Sequence, residues 1–423
     1  MHGYLPRVVD AELDALLRDL PAVALEGIKA IGKTATAERR VSTTFRLDEP
    51  GPREVAMADP WLLLAADPPI LIDEWQHVPA VWDVVRRAVD EDPTPNRVLL
   101  TGSASPRVAP THSGAGRIVT VRMRPLALSE RELGDPSVSL AELLMGTKQP
   151  VEGKTDVSLA DYAAEIVRSG FPGVRRLAGR PLRAQLDGYL ARIVDRDFVE
   201  QGSKVRRPDA LRRWMAAFAA ATATTSSLEK IRNAAMAGGD VPTKPVVLGY
   251  RDVLEQLWVI DQVPGWTPSR NHLTRLAQAP KHHLADPALA ARLLGLDEHA
   301  LLTGTAGPSA APRDGTIFGN LFESLVTLSV RVYAQSAEAD VRHLRTHEGR
   351  HEVDLIVVRP DQRVVAVEVK LSATVDDEDV RHMLWLGQQL GDDVLDMVII
   401  TTGKYAYRRP DGVAVVPASL LGP

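Results

Sequence analysis

The chain has 423 residues, of which 45% are hydrophobic and 25% are charged. This composition is typical of a soluble globular protein, and the length predicts two to four domains. The net charge of -5 argues against a surface coated with positive charge for nucleic acid, although a local basic groove is compatible with that total.

The cysteine content and the lengths of the apolar runs indicate the cellular compartment of the protein. The chain contains no cysteine, which excludes disulfides, thiolate nucleophiles and cysteine-based zinc sites. The first 20 residues include acidic side chains and no unbroken apolar core, so we expect no signal peptide. The apolar runs "WLLLAA" and "MVII" are far shorter than the roughly 20 residues that span a bilayer. We therefore expect a cytoplasmic protein without a membrane partner.

The stretch "EGIKAIGKTAT", residues 26–36, has the spacing of a phosphate-binding loop. Four residues separate Gly27 from Gly32, which is followed by Lys33 and Thr34. Glycines let the backbone wrap closely around an anion, while the lysine reaches the phosphates and the hydroxyl binds Mg²⁺. An ordinary glycine turn remains the alternative on this motif alone. The spacing predicts Mg²⁺ as a ligand of Thr34, and it predicts ATP as a ligand of Gly27, Ile28, Lys29, Ala30, Ile31, Gly32, Lys33, Thr34 and Ala35.

A second predicted strand ends in two carboxylates. In "PPILIDEWQHVP" an apolar run of three residues leads into Asp73 and Glu74, 40 residues after Lys33. In P-loop ATPases an acidic residue at such a strand end holds the magnesium, and a catalytic group positions the attacking water. The pattern therefore predicts Asp73 as a metal ligand and Glu74 as the residue that activates water.

A third apolar strand, in "RVLLTGSASP", ends in small polar residues. Ligands bind at the carboxyl ends of the strands in an open parallel sheet, so Thr101 and Ser103 are expected to face the γ-phosphate. Ser103 is the better candidate for sensing that phosphate. The alternative is a simple exit from strand to turn.

These segments together resemble a large group of bacterial and archaeal AAA-type ATPases. The resemblance rests on "GIKAIGKT", "PILIDEWQHVP", "RVLLTGSASP" and "GAGRIVTVRMRPLALSE". In that group the ATPase domain is joined to a C-terminal region catalogued as a domain of unknown function. The resemblance makes Arg117 a candidate for the arginine that meets the transition-state charge, in cis or in trans, with Arg107, Arg122 and Arg124 as neighbours. A surface role for Arg117 is the alternative.

The middle of the chain predicts a run of helices followed by a β element. The three predicted helices before "WVIDQVPGW" cover residues 209–221, 226–236 and 244–257. This order is that of a winged helix. The third helix carries only Lys244 and Arg251 as cations beside two acidic residues, which favours packing or protein contact over DNA binding. His282 and His283 are adjacent, so no zinc site is expected there.

The last 110 residues predict a helix with Glu323, a strand with Asp354, a strand ending in Glu368 and Lys370, then a helix and a strand. This order resembles the PD-(D/E)XK nuclease core. The resemblance implies that Asp354, Glu368 and Glu323 hold Mg²⁺ and that Lys370 positions water. A structural ion pair in a non-cleaving module is the alternative. The basic cluster of this region consists of Arg342, His343, Arg345, His347, Arg350 and His351.

The sequence therefore predicts a multidomain α/β protein. Its predicted parts are an AAA-type P-loop domain with a parallel sheet, a helical connector, a winged-helix-like domain, a linker and a PD-(D/E)XK nuclease-like domain, at residues 1–145, 146–205, 206–297, 298–315 and 316–423. The predicted function is Mg²⁺-dependent ATP hydrolysis coupled to a nuclease-like domain that acts on or binds DNA or RNA. The alternative is a nucleotide-dependent switch with an inactive nuclease-like scaffold that contacts a protein partner or another copy of itself.

Overall fold

A computed structural model of the protein describes residues 3–104, 114–203, 205–236, 242–268, 278–303, 316–346 and 349–423. Most of the predicted linker, together with Arg107 and His347, lies outside these residues. Within the described residues, no helix is long and apolar enough to cross a membrane.

The N-terminal part is built on a parallel five-stranded sheet. Its strands are β1 (Ala22–Glu26), β2 (Thr43–Arg46), β3 (Ile70–Asp73), β4 (Val98–Gly102) and β5 (Val119–Arg122), in the spatial order β2-β3-β4-β1-β5. The central strands β1, β3 and β4 are almost wholly apolar because both faces are buried, as in a parallel sheet covered by helices. Those helices are α1 (Val9–Asp19), α2 (Lys33–Glu38), α3 (Pro50–Ala58), α4 (Trp61–Leu64) and α5 (Ala80–Glu91). Parallel pairing brings the carboxyl ends of β1, β3 and β4 to one edge.

The middle part is helical. Its helices are α6 (Leu140–Met145), α7 (Leu159–Arg168), α8 (Gly179–Arg192), α9 (Phe198–Glu200), α10 (Pro208–Ala220), α11 (Leu228–Ala234), α12 (Lys244–Gln256), α13 (Pro287–Leu293) and α14 (Glu298–Thr303). One π-helical turn, Ile193–Asp197, joins α8 to α9. The three helices α10 to α12 occupy the predicted places, and antiparallel bridges at Val263–Lys281 and Ile260–Leu284 follow them. The winged-helix assignment of this segment stays a prediction.

The C-terminal part contains an eight-stranded sheet in the spatial order β7-β13-β14-β12-β11-β10-β9-β8. Its strands are β7 (Gly153–Lys154), β8 (Gly265–Trp266), β9 (Asp340–Arg345), β10 (Glu352–Val358), β11 (Val364–Val369), β12 (Val394–Thr401), β13 (Tyr405–Arg408) and β14 (Ala414–Pro417). Helices α15 (Thr316–Ser336) and α16 (Asp377–Leu390) pack on it. Both edge strands come from residues before 316, so the predicted boundary at that residue cuts across one sheet.

Helix α15 joins the N-terminal and C-terminal parts. Two of its hydroxyls accept hydrogen bonds from backbone N–H groups beyond β5: the Ser329 hydroxyl from Leu128 at 3.0 Å, and the Tyr333 hydroxyl from Ser129 at 2.9 Å. The C-terminal end of the chain also returns to the segment that follows the N-terminal sheet, since β15 (Leu421–Gly422) pairs with β6 (Val138–Ser139). One apolar core runs through residues of all three parts, so the parts pack as one body.

Candidate functional site

The loop after β1, residues 27–35, is called the phosphate loop here. Gly27 has φ 153°, and a Cβ at this position would lie 2.2 Å from the carbonyl oxygen of Met123, so the close approach of the two backbones requires glycine. Gly32 has φ 95°, a left-handed conformation, immediately before α2. At both glycine positions, a residue with a side chain would strain the backbone. The spacing of the two glycines in the sequence therefore reflects the conformation of the loop.

The side chains of Lys33 and Thr34 reach the inside of this loop and the end of β3. The Lys33 side chain is buried, and its Nζ donates to the carbonyl oxygens of Gly27 at 2.8 Å and Ile28 at 3.0 Å. Burial lowers the pKa of Lys33 to about 8, although the nearby negative charges of Glu74, Asp73 and Glu26 oppose this shift. An added phosphate charge would favour the protonated ammonium, so this lysine is suited to an anionic ligand.

One carboxylate oxygen of Asp73 links the ends of β3 and β4 to the start of α2. Its Oδ1 accepts a hydrogen bond from the Thr34 hydroxyl at 2.9 Å, and the Thr101 hydroxyl donates to the same oxygen. Burial raises the pKa of Asp73, while these two hydrogen bonds oppose the rise. A hydroxyl and a carboxylate side by side are oxygen donors of the kind that Mg²⁺ prefers, so these residues fit the predicted ion.

Glu74 is held by two neighbours at the same edge. Its carboxylate accepts a hydrogen bond from Ser103 Oγ at 2.7 Å and another from Gln76 Nε2. Gln76 Nε2 also lies 3.3 Å from Ser103 Oγ, so the three side chains form a closed set. Glu74 has φ 54°, an uncommon conformation for a residue with a side chain, and such backbone outliers cluster at functional sites. The sequence predicted Glu74 and Ser103 but missed Gln76, which lies two residues after Glu74.

A cavity of about 320 Å³ opens beside these groups and is bounded by the middle of the chain. Lys29 from the phosphate loop, Glu74 and Ser103 line one side, and Arg196 with Glu200 lines the other. Lys29 Nζ pairs with Asp197 at 2.7 Å and with Glu200 at 3.2 Å. The π-helical turn and α9 therefore contact the phosphate loop through ion pairs.

Arg196 was not predicted from the sequence. Its side chain is 70% exposed and pairs with Glu200 at 2.6 Å, at the wall of the cavity that holds Glu74. Its signal in the sequence was the segment "YLARIVDRDF", where basic and acidic residues interrupt an apolar helix. Arg196 and Arg53 are the arginines of this chain that line the cavity.

Arg117 lies at the wrong end of the sheet for a role in its own chain. In the parallel pair of β1 and β5, Val23 faces Val119 and Glu26 faces Arg122, so the end of β5 that follows Arg117 lies away from the phosphate loop. The Arg117 side chain is 44% exposed and pairs with Asp90 at 2.8 Å. The strand direction therefore separates Arg117 from the phosphate loop of its own chain, which disfavours the first of the two predicted alternatives, a role in cis. The role of Arg117 stays a prediction.

The C-terminal residues predicted to act together do lie together. Glu323 on α15, Asp354 on β10 and Glu368 on β11 form a group that we call the carboxylate cluster. Lys370 Nζ pairs with Glu368 at 3.1 Å, as the alternation along the strand predicted. Asp354 Oδ2 accepts a hydrogen bond from the backbone N–H of Val369 at 2.9 Å.

A lysine from the middle part occupies this cluster. Lys281 is 1% exposed, and its Nζ lies 2.8 Å from Glu323 Oε1 and 3.0 Å from Asp354 Oδ1. Burial opposes protonation of this lysine, but Asp354 and Glu323 outweigh it and raise its pKa. Burial and the charge of Asp354 also raise the pKa of Glu323 to about 8, so this carboxyl binds a proton more readily than an ordinary glutamate.

The carboxylate cluster does not fit a resident metal ion. Each carboxylate oxygen of Asp354 and Glu368 already faces a donor of the chain: Lys281, the Val369 N–H, Lys370 and, at 3.4 Å, the Asp354 N–H. No group of three or more histidine, cysteine or acidic side chains in the described part of the chain is arranged to hold a metal ion. Lys281 supplies positive charge among these carboxylates, which disfavours a metal ion held by Glu323, Asp354 and Glu368, and their role as metal ligands stays a prediction.

Comparison with protein families finds three matching segments. Residues 19–132 match a family described as "AAA domain". Residues 159–300 and 318–421 match two families that are each described as a domain of unknown function, DUF8612 and DUF4143.

Similar whole proteins and structures were also found. Uncharacterized proteins of Mycobacterium bovis and Mycobacterium tuberculosis are each 26% identical over 420 residues, which covers 97% of this chain and 83% of each relative. A Walker-type ATPase of Pyrococcus abyssi aligns with a TM-score of 0.39 and 16% identity over 67% of this chain and 94% of its own. A RuvB variant of Thermotoga maritima aligns with a TM-score of 0.27 and 16% identity over 60% of this chain and 89% of its own. The predicted combination is thus confirmed at the level of domains: the chain carries an AAA domain and a C-terminal domain of unknown function.

Proposed function

We propose that this protein is a Mg²⁺-dependent ATPase that works as a nucleotide-dependent switch, and that its C-terminal domain does not cleave nucleic acid. The observation that carries the ATPase proposal is the hydrogen-bonded set at the edge of the parallel sheet. Thr34, Asp73 and Thr101 meet at one carboxylate oxygen, next to Glu74 held by Ser103. The match of residues 19–132 to an AAA domain supports the same assignment.

Each residue at this edge has a role that follows from its contacts. Lys33 offers its ammonium to the phosphates, and Thr34 with Asp73 would hold the magnesium. When bound, Mg²⁺ neutralises charge that develops on the phosphate oxygens. Glu74 accepts the proton of the attacking water, and Ser103 with Gln76 keeps its carboxylate in place. Arg196 is the arginine of the same chain that would meet the transition-state charge.

The switch proposal rests on the ion pairs of Lys29. Lys29 belongs to the phosphate loop, and its ammonium pairs with Asp197 and Glu200 of the middle part. A triphosphate carries the same sign of charge as these carboxylates and competes with them for Lys29. Asp197 ends a π-helical turn, a rare element that often marks functional sites. Nucleotide binding therefore changes the contact between the loop and the middle part.

An assay of ATP hydrolysis tests this function. Phosphate release would be measured for the full chain, for Lys33→Ala and for Glu74→Gln, with nucleotide affinity measured separately. We expect Lys33→Ala to lose binding and turnover, and Glu74→Gln to retain binding while turnover falls at least about a hundredfold. Arg18→Gln, an exposed arginine on α1, is the matched control and should leave both unchanged. An unchanged rate in Lys33→Ala would refute the phosphate-loop assignment.

A nuclease is the second candidate, favoured by the close grouping of Asp354, Glu368 and Lys370. Plasmid and single-stranded substrates would be incubated with ATP and Mg²⁺ or Mn²⁺, using the wild type and Asp354→Ala. We expect no cleavage by either protein, because Lys281 neutralises the cluster. Cleavage by the wild type that disappears in Asp354→Ala would overturn the non-cleaving proposal and restore the nuclease.

A further inference from the structure

A second cavity, of about 370 Å³, lies where the three parts of the chain meet. Arg122 and Arg124 reach it from the end of β5, Arg331 from α15, and Pro264 closes it from the middle part. Its volume is in the range of small-molecule sites, about 300 to 1,000 Å³. Neither the phosphate loop nor the carboxylate cluster lines it, so we call it the arginine cavity and treat it as a separate site.

The inner wall of the arginine cavity carries more positive than negative charge. Three guanidinium groups converge on Asp261: Arg331 at 2.8 Å, Arg124 at 2.9 Å and Arg122 at 3.1 Å. Asp261 is buried, with 6% of its surface exposed. Its single negative charge balances only one of the three arginine charges. Although burial opposes ionisation, the three arginines hold the pKa of Asp261 well below its usual range. The partly buried carboxyl of Glu12 lies near Arg124 behind the wall, and Asp261 and Glu12 together still carry one negative charge fewer than the three arginines carry positive charges.

The acidic groups around the cavity lie at its solvent side. Glu338 and Asp340 line the rim and are exposed, and the rim arginine Arg342 lies 3.4 Å from Asp340. Glu12 accepts a hydrogen bond from Gln335 Nε2 at 2.8 Å behind the wall. Water screens the rim carboxylates more than the inner arginines, so the attraction for an anion grows with depth.

One donor at the inner wall has no partner. Within the described part of the chain, Arg122 Nε is buried and makes no hydrogen bond. The same guanidinium lies 4.4 Å from the ring centroid of Trp258, which fixes its plane. An unpaired charged donor in such a place is costly unless a ligand accepts from it.

We propose that the arginine cavity binds a small oxyanion with two or more negative charges, of the phosphate or pyrophosphate class. Guanidinium groups present their N–H donors as flat forks that match the oxygens of such anions. The guanidinium groups of Arg122, Arg124 and Arg331, which line the cavity, hold the anion against the inner wall. The exposed rim leaves a path for the ligand from solvent.

The arginine cavity is also bonded to the phosphate loop. Arg7 donates to the carbonyl oxygen of Arg124 at 2.7 Å and to that of Ile31, in the phosphate loop, at 2.9 Å. A titration experiment must therefore separate the two places where an anion could bind.

Isothermal titration calorimetry of the full chain tests the proposal. The chain would be titrated with pyrophosphate, and separately with inorganic phosphate, in the presence of saturating Mg²⁺ and ADP. The key variant is Arg122→Gln, because Asp261 keeps two arginines and the fold is expected to persist. We expect the wild type to bind one anion per chain. Arg122→Gln should weaken the affinity about tenfold or more, and Arg122→Lys should recover part of this loss. Arg18→Gln is the matched control and should bind as the wild type does.

The outcomes separate this site from the phosphate loop. Binding that survives Lys33→Ala and is lost in Arg122→Gln supports the arginine cavity even where the proposed ATPase fails. Binding lost in Lys33→Ala but kept in Arg122→Gln would place the anion in the phosphate loop and overturn the proposal. Absence of binding in the wild type would overturn it as well. Thermal unfolding without anion checks that Arg122→Gln is folded, and Arg342→Gln at the rim provides a second variant with a smaller expected loss.

Discussion

Replacing Lys281 with methionine tests whether this residue is the built-in cation of the carboxylate cluster. The substitution keeps most of the side-chain volume and removes the ammonium that lies 2.8 Å from Glu323 and 3.0 Å from Asp354. Both carboxyl groups are largely buried, so the substitution leaves them without the cation that stabilises their ionised forms. Removing one partner of a buried ion pair costs about 3 to 5 kcal/mol of stability, and we expect a loss of this size at pH 8.5.

The loss of stability caused by Lys281→Met should be smaller at acidic pH. The pKa of Glu323 in the folded protein is raised from its ordinary value of 4.5 to about 8, so the folded state binds more protons than the unfolded state between these two values. This contribution to stability is present below about pH 4.5 and is lost as pH rises through about 8. Without Lys281 the carboxyl takes its proton even more readily. At pH 5.5 Glu323 is then neutral, and we expect roughly half of the alkaline loss, about 2 kcal/mol.

Urea unfolding of the full chain followed by circular dichroism at pH 5.5 and pH 8.5 measures both losses. Lys230→Met, an exposed lysine on α11, is the matched control and should change stability by less than about 0.5 kcal/mol. The double variant Lys281→Met with Glu323→Gln should recover part of the loss at pH 8.5. Mn²⁺ should raise the midpoint of Lys281→Met and leave that of the wild type unchanged. Equal stability of Lys281→Met and wild type at pH 8.5 would refute the role of Lys281.

Three further substitutions test the other sites. Ser103→Ala removes the 2.7 Å hydrogen bond to Glu74, so kcat for ATP hydrolysis should fall about tenfold while the affinity for ATP is kept. An unchanged kcat would show that Ser103 does not position Glu74. Arg196→Ala should lower kcat by tenfold or more in a steady-state assay, since it removes one of the two arginines that line the cavity. Equal rates would refute this role of Arg196 and leave it to Arg53 or to an arginine of another chain. Asp261→Asn leaves three arginines without their counter-ion, and urea unfolding should show a loss of stability of about 3 to 5 kcal/mol. A loss of stability below about 1 kcal/mol would show that the arginines do not depend on this carboxylate.

The phosphate loop could be predicted because its chemistry is local in the sequence. Gly27 and Gly32 must adopt backbone conformations that glycine favours, and Lys33 and Thr34 follow at a fixed spacing. The strands with Asp73 and Thr101 were also accessible, since buried parallel strands are short apolar runs and their carboxyl ends share one edge. Whether Arg117 reaches the site of its own chain could not be predicted: the resemblance gave its position along the chain, but only the direction of β5 shows which end of the sheet it occupies.

Lys281 could not be predicted, because nothing near it in the sequence indicates its partners. It stands 42 residues before Glu323 and 73 before Asp354, and it reaches them because the segment after α12 pairs with residues 281–285 and carries the edge strand β8 into the C-terminal sheet. The motif of acidic residues and Lys370 has the same spacing whether the cluster holds a metal ion or an ammonium group. The two cases differ only in a side chain from another part of the fold. A nuclease-like pattern in such a chain therefore predicts where carboxylates meet, and the charge that the rest of the protein places among them decides whether they can hold a metal.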